Sequence, residues 1–195
     1  MIAPDGLPWG RLKQPDRLSC GAAVLVVARM LSDEVYAGRV LPRFAEEVLA
    51  THRQVVGWWP RALGTPPWAL LRHLPGRHRL ARADFAEVLD AAGRDPVPVY
   101  VGNRVLPRHV VLVVAAAHGT WVVYDPARGG LVTVDAEQAA QDRLPFGRWH
   151  RAWFALLPRA TPGATPGAGA RSRSGPRPAP RRAGWVAPCP TSSPR

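Results

Sequence analysis

The hydrophobic pattern changes halfway along the chain, from long apolar segments to short β-branched runs. Residues 21–31 are apolar except for Arg29 and the leading glycine, which predicts a helix buried on all sides. Apolar positions at helical spacing, with proline, glycine or Asp84 at the boundaries, predict three more helices, over 38–51, 66–74 and 84–92. The first half of the chain is therefore predicted to be helical.

The second half has the pattern of strands. Short runs rich in valine and aromatic residues, separated by turn-forming residues, predict strands over 97–101, 109–116, 120–124, 131–134 and 153–157. Tight turns are expected at 117–119 and 127–130, and a short helix at 135–141. Helices followed by strands predict an α+β fold with an antiparallel sheet.

Composition sets the domain boundaries. The chain has 195 residues and is 47% hydrophobic, enough for one domain with a real core. Residues 1–18 are predicted to form an extended lead-in. From Arg159 the sequence is rich in proline, glycine, serine and arginine, too polar to offset the entropy of ordering. We therefore expect a domain over 1–158 and a disordered tail over 159–195.

The charge is strongly positive but unevenly distributed. Of a net charge of +12, seven positive charges lie in the tail, which has no acidic residue. Arginine outnumbers lysine 25 to 1, Lys13 being the lone lysine, and alanine, glycine and proline are abundant. This composition is typical of a GC-rich coding bias, so the high charge does not favour nucleic-acid binding.

Cysteine content and hydropathy bear on the compartment. The two cysteines, Cys20 and Cys189, do not form a disulfide framework, since Cys189 lies in the tail. The N-terminus lacks the pattern of a signal peptide. The longest apolar run, 110–117, is too short to span a membrane. We expect a cytoplasmic protein without membrane association; the sequence gives no indication of its oligomeric state.

Candidate chemistry begins at the buried helix. Cys20 stands at its predicted N-terminus, with Ser19 as a candidate N-cap, and Gln14 lies six residues earlier. A helix N-terminus stabilises a thiolate, and a nearby amide can donate to an oxyanion. Gly21 is expected to keep the turn open to a substrate backbone. The alternative is that Cys20 is a small buried hydrophobe and Gln14 a surface residue.

A histidine and an aspartate are predicted to meet across a hairpin. His109 opens one strand and Asp125 ends the next, each about eight residues from the turn at 117–119. Register counting therefore places them side by side. A structural histidine at a strand end, and an aspartate that initiates a turn before Pro126, are the alternative interpretations.

These motifs together resemble those of papain-like cysteine peptidases, most closely the bacteriocin-processing, C39-like group. In that group a glutamine precedes the Cys-Gly pair by six residues, and a His-Val-Val segment is followed by Asp-Pro. The matching residues here are Gln14, Cys20-Gly21, His109-Val110-Val111 and Asp125-Pro126, within about residues 10–157.

The resemblance implies a papain-like fold and a cysteine-dependent hydrolase that cleaves a peptide or amide bond in a peptide or protein substrate through a thioester, without a cofactor. It implies Cys20 as nucleophile, His109 as general base, Asp125 as the residue that orients it, and Gln14 as oxyanion donor. Ser19 departs from the aspartate that often precedes the nucleophile in the group. Because no membrane or ATPase region follows, coupling to peptide export is not expected.

Two alternatives remain for the same site. It would also serve a thiol acyltransferase or a transglutaminase-like amide exchanger, and a catalytically silent peptide-binding module could keep the same fold.

Other polar and aromatic residues are weaker candidates. His73 and His78 flank the helix-breaking Pro75-Gly76, so a zinc pair is not favoured. Trp58, Trp59 and Trp68 form an aromatic segment that is expected either to line a substrate groove or to pack in the core or in a lid.

Overall fold

The computed structural model describes residues 6–60 and 64–159. Its helices are α1 (Cys20–Ser32), α2 (Glu34–Val40), α3 (Phe44–Val56), α4 (Pro67–His73), α5 (Phe85–Ala92) and α6 (Ala136–Ala140), with a 3₁₀ turn at Leu41–Arg43. Its strands are β1 (His78–Arg82), β2 (Val97–Gly102), β3 (Pro107–Ala117), β4 (Thr120–Asp125), β5 (Gly130–Val134) and β6 (Arg151–Pro158). Apart from Arg159, the predicted disordered tail lies outside the described residues.

The strands form one antiparallel sheet in the order β1-β6-β2-β3-β4-β5. Helix α1 packs on β3 from one side, and α5 packs on the same strand within the second of two core clusters. Alternate side chains of β3 enter the two clusters, Val110 and Leu112 the first and Val111 and Val113 the second. The predicted α+β fold, with a buried N-terminal helix packed on an antiparallel sheet, is confirmed.

The predicted buried helix is α1. Eleven of its thirteen residues are buried, and Arg29 and Ser32 are exposed. The helices predicted at 66–74 and 84–92 are also confirmed as α4 and α5. Asp84 caps α5 by accepting a hydrogen bond from the Glu87 N–H, as predicted.

One prediction about the helical half was wrong, and one strand in it was missed. The single helix predicted at 38–51 is two helices, because Pro42 lies in the 3₁₀ turn between α2 and α3. Asp33 starts α2 by accepting from the Tyr36 N–H. Strand β1 was not predicted, since its sequence, His-Arg-Leu-Ala-Arg, has little β-branched character; pairing with β6 makes it a strand.

The lead-in is docked on the sheet. Leu12 is fully buried, and its carbonyl accepts a hydrogen bond of 2.5 Å from the Tyr124 hydroxyl. The Gly10 N–H donates to the Gly129 carbonyl at 2.6 Å, and the Gln14 N–H donates to the Pro126 carbonyl at 2.9 Å. The turn between β4 and β5 therefore anchors the segment that leads into α1.

A β-bulge changes the register of the central hairpin. Ala117 pairs with Thr120 across a two-residue turn in which His118 and Gly119 both have positive φ. The register then shifts between Val113 and Ala115, so one extra residue stands on β3. Beyond this bulge Leu112 pairs with Tyr124, and the pairing that register counting predicted for His109 and Asp125 is offset by two residues.

Candidate active site

Cys20 is the first residue of α1, and 4% of its surface is exposed. Its free thiol lies at the end of the helix where backbone N–H groups and the macrodipole favour a negative charge. Cys20 therefore lies where it was predicted, at the N-terminus of the buried helix.

The expectation for Gly21 was wrong. Gly21 is buried, and a Cβ on it would stand 2.5 Å from Cβ of Thr65. The backbone carbonyl of Thr65 in turn accepts a hydrogen bond of 2.8 Å from the buried Tyr100 hydroxyl. Glycine is required here for close packing of α1 on this segment, not for an opening toward a substrate.

The expectation that Ser19 caps α1 with its side chain was also wrong. Ser19 occupies the N-cap position, but its hydroxyl makes no capping hydrogen bond. Asp16 instead shapes the preceding turn, since its Oδ1 accepts from the N–H groups of Leu18 and Ser19, each at 2.8 Å. Partial burial alone would raise the pKa of Asp16, but these backbone hydrogen bonds lower it overall.

His109 and Asp125 form a buried pair. The Nε2 atom of His109 lies 2.8 Å from Oδ1 of Asp125, with 6% and 2% of the two residues exposed. The same Oδ1 accepts from the Ala127 N–H at 3.0 Å, and Nε of Arg128 lies 3.5 Å from Oδ2. Asp125 thus both initiates the turn and holds the imidazole, which combines the two interpretations of this residue.

The surroundings of His109 favour its protonated form. Burial lowers the pKa of His109, but hydrogen bonds to Asp125 and Cys20 and the charges of both groups raise it to about 9. Asp125 shows the converse: burial raises its pKa, but the hydrogen bond and charge of His109 lower it overall. Since Nε2 faces Asp125, Nδ1 is the ring nitrogen left for Cys20.

Gln14 is anchored beside this pair by its backbone bond to Pro126. Its side-chain Nε2 donates to the Asp16 carbonyl at 2.5 Å, while its Oε1 is buried without a hydrogen-bond partner. An amide nitrogen carries two N–H groups, so one remains after the bond to Asp16.

Cys20 opens into a cleft of about 590 Å³. The other lining residues come from the lead-in, the segment before α4, the β2–β3 loop, the start of β3 and the segment before β6: Arg17, Leu18, Gly64, Asn103, Val105, Leu106, Arg108, Arg148 and Trp149. The sequence did not single out these lining residues. Because arginine is common throughout the chain, the sequence does not indicate which arginines come together at the cleft.

A larger cleft lies away from this chemistry. It has a volume of about 1010 Å³ and is lined by residues of β1, α5, α6 and β6, with Trp121 at its base. It contains none of Gln14, Cys20, His109 and Asp125. We therefore place the candidate active site in the smaller cleft.

The aromatic segment does not line the cleft that contains Cys20. Trp59 contacts both Trp58 and Trp68, and its ring packs edge to face on Trp68 with ring centres 5.0 Å apart. The tryptophan that lines this cleft is instead Trp149.

Among residues 6–60 and 64–159, no group of three or more His, Cys, Asp or Glu residues could hold a metal ion. No helix among these residues is both long and apolar enough to cross a membrane.

No protein-family model and no curated protein matches this chain. The fold is similar to that of several solved peptidase domains. One belongs to Streptococcus ComA, a bifunctional ABC transporter of a quorum-sensing pathway, at 18% identity and a TM-score of 0.49, covering 75% of this chain and 96% of that one. The peptidase domain of Streptococcus mutans ComA gives 16% and 0.47, over 76% and 98% of the two chains.

A third similar structure is a double-glycine motif protease from an AMS/PCAT transporter, solved with its leader peptide. It is 18% identical with a TM-score of 0.43, and the match covers 75% of this chain and 89% of that one. At these identities and TM-scores the similarity assigns neither a family nor an activity. These three similar structures are two peptidase domains and a protease.

Proposed function

We propose that the protein is a cysteine peptidase with Cys20 as nucleophile, His109 as general base and Asp125 as the residue that orients the imidazole. The observation that carries the proposal is the buried chain of contacts from Cys20 through His109 to Asp125, which opens into a cleft at Cys20. This is the set of groups that thiol catalysis needs: a nucleophile, a base within hydrogen-bonding reach, and a third group that holds the base.

Before the acylation step the thiol proton lies on His109, whose protonated form the site favours, and the Cys20 sulfur attacks the carbonyl carbon of the scissile bond as a thiolate. The carbonyl π electrons move to oxygen and form a tetrahedral oxyanion. When the oxyanion collapses, the C–N bond breaks and His109 returns the proton to the leaving nitrogen. The product is a thioester on Cys20 and a free amine.

In the deacylation step, water attacks the thioester while His109 removes one of its protons. The C–S bond breaks, which releases the acid product and regenerates the Cys20 sulfur as a thiolate. The hydrogen bond from the Ala127 N–H to Oδ1 of Asp125 and the ion pair of Oδ2 with Arg128 hold the carboxylate in place while the imidazole gains and loses charge. Both half-reactions use the same three side chains.

The oxyanion is assigned to two donors, the Cys20 backbone N–H and the side-chain amide of Gln14. The remaining N–H of Gln14, and its backbone anchor at Pro126 beside Asp125, support this role. Loss of one such donor costs about 10²–10³ in kcat in a well-characterised protease. Gln14→Ala is therefore expected to keep the thiol reactive while slowing turnover.

The test is hydrolysis of a diverse peptide library by the full chain, followed by mass spectrometry. Cys20→Ala and His109→Ala should each lower cleavage about 10³-fold or more, because the nucleophile and base act as a unit. Cys189→Ser is the matched control, since it removes the other thiol and should leave the rate unchanged. Cleavage retained in Cys20→Ala would refute the proposal.

Acyl transfer is separated from hydrolysis by adding a primary amine to the same reaction. A peptidase yields mainly the free acid, whereas an amide exchanger yields the amine adduct without net hydrolysis. An unreactive Cys20 that still binds peptides would instead indicate a silent binding module.

A further inference from the structure

The cleft at Cys20 carries positive charge without a compensating negative charge. Arg17, Arg108 and Arg148 line it, and no aspartate or glutamate is among the described residues that do. All three arginines are exposed. Within the parts of the chain that the structure describes, none of them is in an ion pair with a carboxylate. Their guanidinium groups are therefore available to a ligand.

One of these arginines is held beside an aromatic ring. The guanidinium of Arg148 lies 5.7 Å from the ring centre of Trp149, which also lines the cleft. Stacking of this kind restricts the side chain while leaving its N–H groups free, so less entropy is lost when a carboxylate binds.

The β2–β3 loop contributes two apolar residues to the cleft and is held by its own hydrogen bonds. Asn103 Oδ1 accepts from the N–H groups of Val105 and Leu106, at 2.8 and 2.9 Å, and the Asn103 N–H donates to the Leu106 carbonyl. The Asn103 carbonyl accepts from the Trp153 indole at 2.9 Å. On this fixed loop, Val105 and Leu106 remain 73% and 47% exposed. Two apolar side chains are thus held at the cleft in contact with water.

We propose that the substrate is an acidic peptide, with a Glu or Asp side chain within a few residues of the scissile bond and an apolar residue beside it. The carboxylate binds the cleft arginines Arg17, Arg108 and Arg148 through charge-assisted hydrogen bonds. The apolar residue packs on Val105 and Leu106. A cleft lined by one sign of charge also raises the rate of encounter with an oppositely charged ligand. This inference rests on the proposed peptidase function.

The first experiment compares three peptides that differ at one position near the cleavage site, with Glu, Gln or Lys. The Glu peptide should have a kcat/KM about tenfold or more above that of the Gln peptide, and the Lys peptide should be the poorest. Raising the salt concentration should narrow the difference in kcat/KM among the three peptides, because salt screens exposed charges. Equal kcat/KM for the three peptides would overturn the inference and leave the peptidase proposal standing.

Charge reversal identifies the residues responsible. Arg148→Glu should lower kcat/KM for the Glu peptide and raise it for the Lys peptide. Arg148→Gln should lower kcat/KM for the Glu peptide without raising it for the Lys peptide. Arg53→Glu is the matched control, since Arg53 is an exposed arginine of α3 that does not line the cleft. An unchanged order of preference in Arg148→Glu would contradict the inference.

A binding measurement separates the two proposals. Cys20→Ala keeps the cleft but not the nucleophile, so it should bind a fluorescent acidic peptide more tightly than the neutral one. If the wild type cleaves none of the peptides, the peptidase proposal fails, whatever this variant binds. A single-stranded oligonucleotide that binds Cys20→Ala more tightly than the acidic peptide would overturn the choice of a peptide ligand.

Discussion

At the scale of single residues, the site depends on one imidazole held between a thiol and a carboxylate. Asp125 binds Nε2 of His109, and the hydrogen bond and charge of Cys20 also raise the pKa of the ring. Because both partners carry negative charge when ionised, each contributes to keeping the ring protonated. The electrostatic state of the site is therefore shared among three residues rather than set by any one.

Removing either partner should lower the pKa of His109 from about 9. In Cys20→Ala the hydrogen bond and charge of the thiol are lost, and in Asp125→Asn the carboxylate charge is lost, while burial continues to lower the pKa. The measurement is a pH titration of the imidazole by NMR. A His109 titration that is unchanged in Cys20→Ala would show that the two side chains do not interact.

Gly21 illustrates how one missing methyl group shapes the site. Gly21→Ala should lower the free energy of unfolding by about 1–3 kcal/mol, because its Cβ would stand 2.5 Å from the Thr65 side chain. Gly38→Ala is the matched control: Gly38 lies in α2 with nothing within 4 Å of an added Cβ, so alanine should stabilise the helix by about 0.5–1 kcal/mol. Chemical denaturation of both variants measures the difference. Equal effects at the two positions would argue against close packing at Gly21.

At the scale of elements, the β-bulge on β3 aligns the catalytic candidates. If Val114 paired with Val123 instead of bulging, the register of the turn would continue, Asp125 would lie opposite Leu112, and His109 and Asp125 would point to opposite faces of the sheet. With the bulge both side chains lie on the same face, two residues apart along the strands. The bulge therefore makes the hydrogen bond between them possible.

The contact between the lead-in and the β4–β5 turn positions Gln14. Gly129 has a φ of 75°, and a Cβ on it would stand 2.7 Å from the Lys13 backbone nitrogen. Gly129→Ala should therefore displace the segment that carries Gln14 and lower peptide cleavage, by up to the 10²–10³-fold expected for loss of an oxyanion donor.

Gly119→Ala is the matched control for that substitution. Gly119 has a similar φ of 73° in a hairpin turn, but nothing lies within 4 Å of an added Cβ. Each variant incurs backbone strain of about 1–2 kcal/mol, and only Gly129→Ala also displaces the lead-in. Steady-state kinetics and thermal unfolding of both variants separate the effects. Equal activity in the two variants would mean that the lead-in does not position the donor.

At the scale of the whole molecule, the buried His109–Asp125 pair links the stability of the fold to pH. The pKa of His109 is about 9 in the folded protein and about 6.5 in an unfolded chain, so the folded state holds the proton more tightly. Its contribution to stability is present in full below about pH 6.5 and is lost as the pH rises through about 9. Asp125, whose pKa is lowered, contributes above about pH 3.8 and loses its contribution as the pH falls through its folded value.

We expect the free energy of unfolding to decrease between about pH 6.5 and 9. Urea unfolding at a series of pH values measures it. In His109→Gln the decrease should be smaller, because the titrating group is absent. The same slope in wild type and His109→Gln would show that other groups cause the pH dependence.

Several features followed from sequence because they depend on local patterns. The buried helix α1 is apolar on every side, the strands from β2 to β5 are β-branched runs with turns between them, and Asp84 caps α5 as its sequence position predicts. Cys20 at the start of α1 followed from the same pattern. These signals lie within a few residues of one another, so a single sequence contains them.

Other features were decided by contacts between distant segments. Strand β1 forms because β6 pairs with it, and Gly21 is needed because Thr65 lies against it. The bulge that brings His109 and Asp125 to one face is a property of how two strands pair. The arginines of the cleft come from three separate segments, and nothing in the sequence groups them. Sequence alone determined the α+β order of elements and the residues with candidate chemistry, because periodicity and side-chain type are local. The tertiary structure alone decided their register, their packing and the charge of the cleft, because these depend on residues that are distant in sequence and adjacent in space.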